Sequence, residues 1–235
     1  MKSKKIFSII AASLIAAGTM AAGTSFYSAP EENNPQVITA TFCCDDASQY
    51  VHLCNMETSL EAVCIEGTWQ EPTSMCKFSS AGCHEVLFRL KDNTRVPDYA
   101  FIYCTDLDRV ELPASVVSIG NSAFAGCTSL SSISFCGKLE KINENAFGGC
   151  PVSSFIIPAG VKNVEAWTFS GCQQLVTLAL PASLEEVNWT AFYNCPQLTD
   201  IIYSGTKSQW MRITDENLDK TNRTVVHCSD GDILL

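Results

Sequence analysis

The chain has 235 residues, a formal net charge of −10 and 13 cysteines. That acidity disfavours electrostatic capture of a nucleic-acid backbone or an anionic membrane surface. The length suits one good-sized domain, or one solenoid with a small extra module. At the start, residues 1–23 place Lys2, Lys4 and Lys5 before an apolar run from Ile6 to Ala17, with small residues after it. This is the pattern of a secretory signal peptide, cut after Gly23 with Ala21 at the minus-three position. The run is shorter than the roughly 20 residues a membrane span needs, so no membrane insertion is expected after signal removal. The nearest cysteine, Cys43, lies too far from the cut for lipid attachment. Residues 24–36, TSFYSAPEENNPQ, read as a disordered linker.

Residues 37–98 read as a cysteine-rich N-terminal cap. SLEAVCIEG (59–67) keeps Leu60, Val63 and Ile65 at strand-like spacing, and AGCHEVLFRL (81–90) keeps a Gly-Cys pair before an apolar run. Both look like degenerate copies of the repeat that follows, since terminal repeats are usually atypical. Cys43, Cys44, Cys54, Cys64, Cys76 and Cys83 are even in number, and in an exported chain they are candidates for disulfides. Six cysteines allow 15 connectivities, and sequence does not choose among them. Zinc held by His52 or His84 with these thiols is disfavoured, because the segment has no C-x-x-C pair.

From residue 99 a period takes over. Phenylalanines fall at 101, 124, 147, 169 and 192, and cysteines at 104, 127, 150, 172 and 195, so the spacing is 23, 23, 22 and 23. Each cysteine leads into an alternating apolar segment. In CQQLVTLALP (172–181), Leu178 and Leu180 point one way while Thr177 and Ala179 point the other, which is a half-buried strand. After the strand comes Pro113, Pro158 or Pro181, with Cys136 in the equivalent place in the second copy. A second apolar pair follows: Val116 and Ile119, Leu139 and Ile142, Val161 and Val164, Leu184 and Val187. One such unit encloses no core, whereas stacked units align these positions into continuous ladders.

The pattern C-x-x-L-x-x-I-x-L-P-x-x-L-x-x-I-x-x-x-A-F-x-x-C over residues 99–203 resembles the BspA-like class of leucine-rich repeats. The expected fold is therefore a β-rich leucine-rich repeat solenoid: a curved right-handed stack of 22–23-residue coils with irregular N-terminal and C-terminal caps. In the C-terminal cap, residues 204–235, Trp210 and Ile213 are expected to cover the last apolar coil. The resemblance also implies a role, since several members of the class act in adhesion. The chain is then a secreted or cell-surface, non-enzymatic interaction protein, with an extracellular protein or glycan as partner and no cofactor.

The residues themselves favour that reading over catalysis. A nucleophile is needed once, whereas a cysteine recurring in every coil is a scaffold residue that satisfies backbone groups in the turn or packs as a small apolar side chain. His227 and Cys228 are adjacent on an extended segment and point in opposite directions. The sequence has no G-x-S-x-G, no H-E-x-x-H and no phosphate-binding glycine loop. NWT at 188 and NRT at 222 fit the glycosylation acceptor pattern, but the signal looks bacterial and the matches read as accidental.

Two surfaces are candidates for binding. On the strand face, the outward ladders are Arg109, Ser132, Ser154, Thr177 and Asp200, beside Glu111, Ser134, Ile156, Ala179 and Ile202. The second of these runs from charged to apolar along the stack. In the turns, Trp167 and Trp189 sit one repeat apart, either packed on each other or offered as a platform on which sugar rings stack.

Overall fold

The computed structural model describes residues 36–135, 138–214 and 224–235. The expected signal peptide and nearly all of the expected linker lie outside them. The first strands are β1 (Val37–Cys44), β2 (Val51–His52), β3 (Leu60–Ile65), β4 (Thr68–Gln70), β5 (Met75–Cys76) and β6 (Gly82–Leu90). β1 alternates without a break, burying Ile38, Ala40 and Phe42 on one face. It pairs antiparallel with β6, which pairs antiparallel with β3, and β3 with β4. This differs from the degenerate coils expected here, because coils of a solenoid stack their strands in parallel. SLEAVCIEG and AGCHEVLFRL do form strands, β3 and β6, but as neighbours in a meander-like sheet.

The stack begins just before the expected boundary. β7 (Arg95–Val96) already pairs in parallel with β9 (Ser118–Ile119). β8 (Leu107–Leu112) and β10 (Ser132–Phe135) are the strands of coils 1 and 2, and they too are parallel. β11 (Lys141–Ile142), β13 (Asn163–Val164) and β15 (Glu186–Val187) continue the short second face. β12 (Ser154–Ile156), β14 (Thr177–Leu180) and β16 (Asp200–Tyr203) continue the strand face in coils 3 to 5. The cap is not a separate module, since β1 pairs antiparallel with β8 and the cap strands continue the strand face of coils 1 and 2 as one six-stranded sheet.

The third edge of each coil is the turn carrying phenylalanine and cysteine. Phe101, Phe124, Phe147, Phe169 and Phe192 are all buried and lie face to face, with centroids 5.3, 5.5, 5.7 and 6.4 Å apart. Two residues after each phenylalanine the backbone is left-handed, at Tyr103, Gly126, Gly149, Gly171 and Asn194. Glycine fills three of these five positions because it enters that region without steric cost. At Gly126 there is a second reason: the Tyr103 ring lies where a Cβ would go.

Coil 3 is one residue short, and the deletion can be placed. Cys150 is followed two residues later by the buried Val152, whereas the other coils take three residues, as from Cys127 to Leu130. The strands part at the same junction. Among the described residues, β10 does not pair with β12, nor β11 with β13, so both faces divide into separate sheets. The turn edge stays laced there, with Phe124 N donating to Ala146 O at 2.9 Å and Gly126 N to Gly148 O at 2.8 Å.

At the C-terminal end, α1 (Lys207–Ile213) begins with a capping box in which Thr206 and Gln209 satisfy each other's amides. Its Trp210 is buried against Tyr203, 5.4 Å away, and Ile213 is half-buried against the core, as expected of residues that close the stack. β17 (Val225–Cys228) then adds in parallel to β16, and β18 (Gly231–Leu234) turns back antiparallel on β17. No helix among the described residues is long and apolar enough to cross a membrane.

Candidate functional site

The strand face carries the outward ladders with one exception. Arg109, Glu111, Ser132, Ser134 and Ile156 are exposed, while Ser154, Thr177, Ala179 and Asp200 are half-buried. Ile156 is 47 % exposed, but Ile202 is only 5 % exposed and does not belong to the surface. The cause lies beyond the repeats: the C-terminal hairpin continues the sheet past coil 5 and sets His227 beside Ile202, with Ala179 on its other side. The ladders are also not continuous over five coils. Arg109 pairs with Ser132 and Glu111 with Ser134 in one sheet, and Ser154 with Thr177 and Ile156 with Ala179 in the other.

The repeat cysteines answer the question of reactivity through their partners. Cys127 Sγ donates to Phe101 O at 3.0 Å, Cys150 to Phe124 O at 3.1 Å, Cys172 to Phe147 O at 3.2 Å and Cys195 to Phe169 O at 3.0 Å. Each thiol therefore satisfies a backbone carbonyl of the coil before it. Burial pushes the Cys127 and Cys172 thiols up to about 12 and raises those of Cys104 and Cys150 as well. None of these four is a thiolate at neutral pH, and a thiol is a poor nucleophile.

Coil 1 has no complete coil before it, and the cap supplies what is missing. Cys104 Sγ lies 3.8 Å from His52 Nδ1, while His52 Nε2 lies 3.0 Å from Cys54 O. A carbonyl only accepts, so Nε2 carries the ring proton and Nδ1 accepts from the thiol. This pair has the residue types of a Cys-His dyad, but Cys104 is fully buried and has no room for a substrate. Asn55 completes the substitution. Its backbone N–H donates to Ala100 O at 2.7 Å and its Nδ2 to Ile102 O at 2.9 Å. Inside the stack, the same two donations are made by two amides of a neighbouring coil.

Of the six cap cysteines, Cys43 and Cys83 form a disulfide and the other four are free and buried. They are direct partners in the β1–β6 pairing, which is why these two are bridged. His84 is held by Nε2 at 2.8 Å from Ser80 O and stacks on Phe78 at 4.2 Å. Among the described residues, no group of three His, Cys, Asp or Glu side chains is placed to hold a metal ion.

Sequence reasoning set His227 aside, but it has a structural task. Its Nε2 lies 2.9 Å from Asp200 Oδ1 on β16 and its Nδ1 lies 3.1 Å from Asp232 Oδ1 on β18. Both nitrogens must donate, which only the imidazolium can do. Burial lowers the His227 pKa, but the two carboxylates outweigh it and hold it above 6.5. Asp200, read as an outward ladder residue, is thus partly engaged in closing the C-terminal end.

On the turn edge, Trp167 and Trp189 are each 48 % exposed, and no ring pairing joins them among the described residues. Behind Trp189 lies an open cleft of about 420 Å³ between β15 and the end of α1. A larger depression of about 810 Å³ lies on the second face at the coil 2–coil 3 junction, lined by Lys138, Lys141, Lys162, Glu140 and Glu165. Asn188 of the NWT motif has its Oδ1 occupied by the Thr190 amide and hydroxyl at 3.0 and 2.8 Å. The NRT motif falls largely outside the described residues.

Comparison with known proteins bears on the whole stack. The chain matches the BspA type leucine rich repeat region over residues 94–214, in six copies. That span reaches past the five coils at both ends, to β7 and to Thr214, which bridges in parallel to Val187. No curated protein matches the chain. Among solved structures it is similar to a leucine rich cell surface protein of Faecalibacterium prausnitzii A2-165, with 39 % identity over 52 % of this chain and 32 % of that one, and a TM-score of 0.48. A T. pallidum leucine rich repeat protein is 34 % identical over 46 % of this chain and 51 % of its own, with a TM-score of 0.44. The pneumococcal vaccine antigen PcpA is 20 % identical over 56 % of this chain and 45 % of its own, with a TM-score of 0.42. The chain thus spans a third to a half of these proteins. With half of its length matched, and with the period, the phenylalanine ladder and the thiol ladder all repeating through that span, the chain belongs to the BspA type leucine-rich repeat family.

Proposed function

We propose that the chain is a secreted, non-catalytic interaction protein whose strand face binds an extracellular protein. The observation that carries this reading is Ile156. It is a large aliphatic side chain left 47 % exposed on the strand face of a solenoid that buries most leucines, isoleucines and valines of its coils, with Val176 the other exposed one. Around it lie Ser154, Thr177 and Ala179, which are small and leave the isoleucine free to enter a partner's pocket. An apolar centre surrounded by a more polar rim is the arrangement of a protein-binding patch. Export is supported by the N-terminal pattern of lysines, apolar run and small residues. The absence of catalysis is supported by the fate of the repeat cysteines, whose thiols are held in hydrogen bonds inside the core.

The test is biolayer interferometry of the purified protein against a panel of purified extracellular matrix and cell-surface proteins. Ile156→Ser is expected to weaken the strongest interaction by about tenfold or more. Its thermal unfolding should match the parent, because surface substitutions change stability by about 0.5 kcal/mol or less. No protein ligand in the panel, or a ligand bound equally well by the serine variant, overturns the strand-face reading.

A further inference from the structure

Trp167 occupies a position that the fold makes awkward for it. Two residues before each phenylalanine, coils 1 to 4 adopt a left-handed backbone, at Tyr99, Ser122, Asn145 and Trp167, and Trp167 has φ of 58°. Small polar residues and glycine suit that region, while a bulky side chain there carries conformational strain. Burial does not compensate, since about half the ring faces water. In the next coil Trp189 is offset by one position and equally exposed, and it forms one wall of the cleft behind it. The other walls include Glu185, Glu186, Asn188, Arg212 and Thr214.

We infer that this end of the turn edge is a binding subsite for a neutral polysaccharide. The faces of Trp167 and Trp189 receive two sugar rings, and the cleft receives the hydroxyls of the next. Three observations select that occupant. An aromatic face takes up the C–H side of a pyranose, while carboxylate, amide and guanidinium groups meet its hydroxyls in the ring plane. The two tryptophans come from successive coils and are both about half exposed on the turn edge, so both ring faces are accessible to an extended chain. The cleft is of ordinary size for a small ligand, at the lower end of the range of roughly 300 to 1,000 Å³. Charge disfavours the polyanionic alternatives: Glu185 and Glu186 line the cleft against the single cation Arg212, and the chain as a whole is acidic. Lys162 pairs with Glu185 at 3.1 Å on the surface, which leaves Glu186 as the freer acceptor.

This site is separate from the strand face, so either can fail alone. The experiment is affinity gel electrophoresis of the full chain in gels containing a neutral β-glucan, α-glucan, mannan or galactan, with polygalacturonate and polylysine as charged controls. Retardation by at least one neutral glycan is expected, with a shift in tryptophan emission on addition of the same glycan. Trp189→Ala should weaken it by about tenfold or more and Trp167→Ala to a similar or smaller extent. Trp189→Phe, which keeps an aromatic face, should retain most of the binding. Trp69→Ala should leave it unchanged, since Trp69 lies on the cap under Arg89, 4.2 Å away. Ile156→Ser should also bind glycan normally, which keeps this result distinct from the protein-binding one. Thermal unfolding of each variant separates lost binding from lost fold. No retardation by any neutral glycan, retardation only by a charged control, or tryptophan variants that bind as the parent does would each overturn the inference.

Discussion

The N-terminal cap and the coils next to it contribute strands to one sheet, yet they are built by opposite means. In the coils, strands within each sheet sit beside the copy 22 or 23 residues away, and the phenylalanine positions stack on their own equivalents through all five coils. In the cap, β1 is paired on one side with β6 and on the other with β8, strands that begin 45 and 70 residues further along the chain. The coils are held by repetition of many modest contacts. The cap depends on a few long-range pairings and on a covalent bridge across one of them. Fixing distant segments costs more chain entropy than fixing neighbours, so a crosslink between β1 and β6 contributes most where it is placed.

The largest expected effect belongs to the coils. Phe147→Ala empties the middle of the aromatic ladder, where Phe124, Phe155 and Phe169 surround the ring and the stack cannot close the gap. A loss of about 3–5 kcal/mol is expected, read as a lower unfolding midpoint in denaturant. Hydrogen exchange should rise in coils 2 to 4 before it rises in the cap. A uniform rise would show that cap and coils open as one unit and would break the comparison.

Next in size is the bridge. Replacing Cys43 and Cys83 by serine is expected to cost about 2–4 kcal/mol, with exchange rising first in β1 and β6. Alkylation of the denatured protein before and after reduction gives the matching chemical result. Reduction should add two labelled cysteines, both mapping by mass spectrometry to Cys43 and Cys83. An equal label count in both states would remove the covalent half of the contrast.

The smallest effect sharpens the comparison at the other end. His227⁺ joins β16 to β18 through two carboxylates, a reversible clasp where the cap has a covalent one. Its folded pKa is raised, so its stabilisation is fully present below about pH 6.5 and is lost as pH rises through the folded value. Thermal unfolding midpoints should fall over that upward range in the parent and vary less in His227→Gln. NMR titration of the ring would give the folded value directly, and one at or below 6.5 would rule out the clasp.

Legibility followed the same division. The phenylalanine and cysteine positions could be read because five copies repeat the same burial, and the thiols proved to be scaffold for the reason that recurrence gave. The strand segments of the cap were visible in Leu60, Val63 and Ile65, but their partners were not, since nothing local in the chain encodes that β1 lies between β6 and β8. The disulfide was hidden for that reason: choosing Cys43 with Cys83 requires the register of β1 on β6. Ile202 failed differently. Alternation correctly set it on the outward face, but that face is buried where the hairpin at 225–234 continues the sheet, and one coil's pattern holds no information about what flanks it. The tryptophans were found by their spacing, whereas their exposure and the cleft behind Trp189 needed the third dimension.

The missing residue between Cys150 and Val152 has a mechanical consequence. A rod of coils hydrogen-bonded along all three edges resists bending in every direction. Among the described residues, only the turn edge keeps its hydrogen-bond lacing at the junction of coils 2 and 3, and no strand pairing crosses it on the two faces opposite. Stiffness there is anisotropic: the seam resists shear along the turn edge and yields to opening away from it. The strand face is then two plates rather than one, with Arg109 to Ser134 on the first and Ser154 to Ala179 on the second. A partner spanning both must meet two angles, and one touching only the second plate is indifferent to the seam.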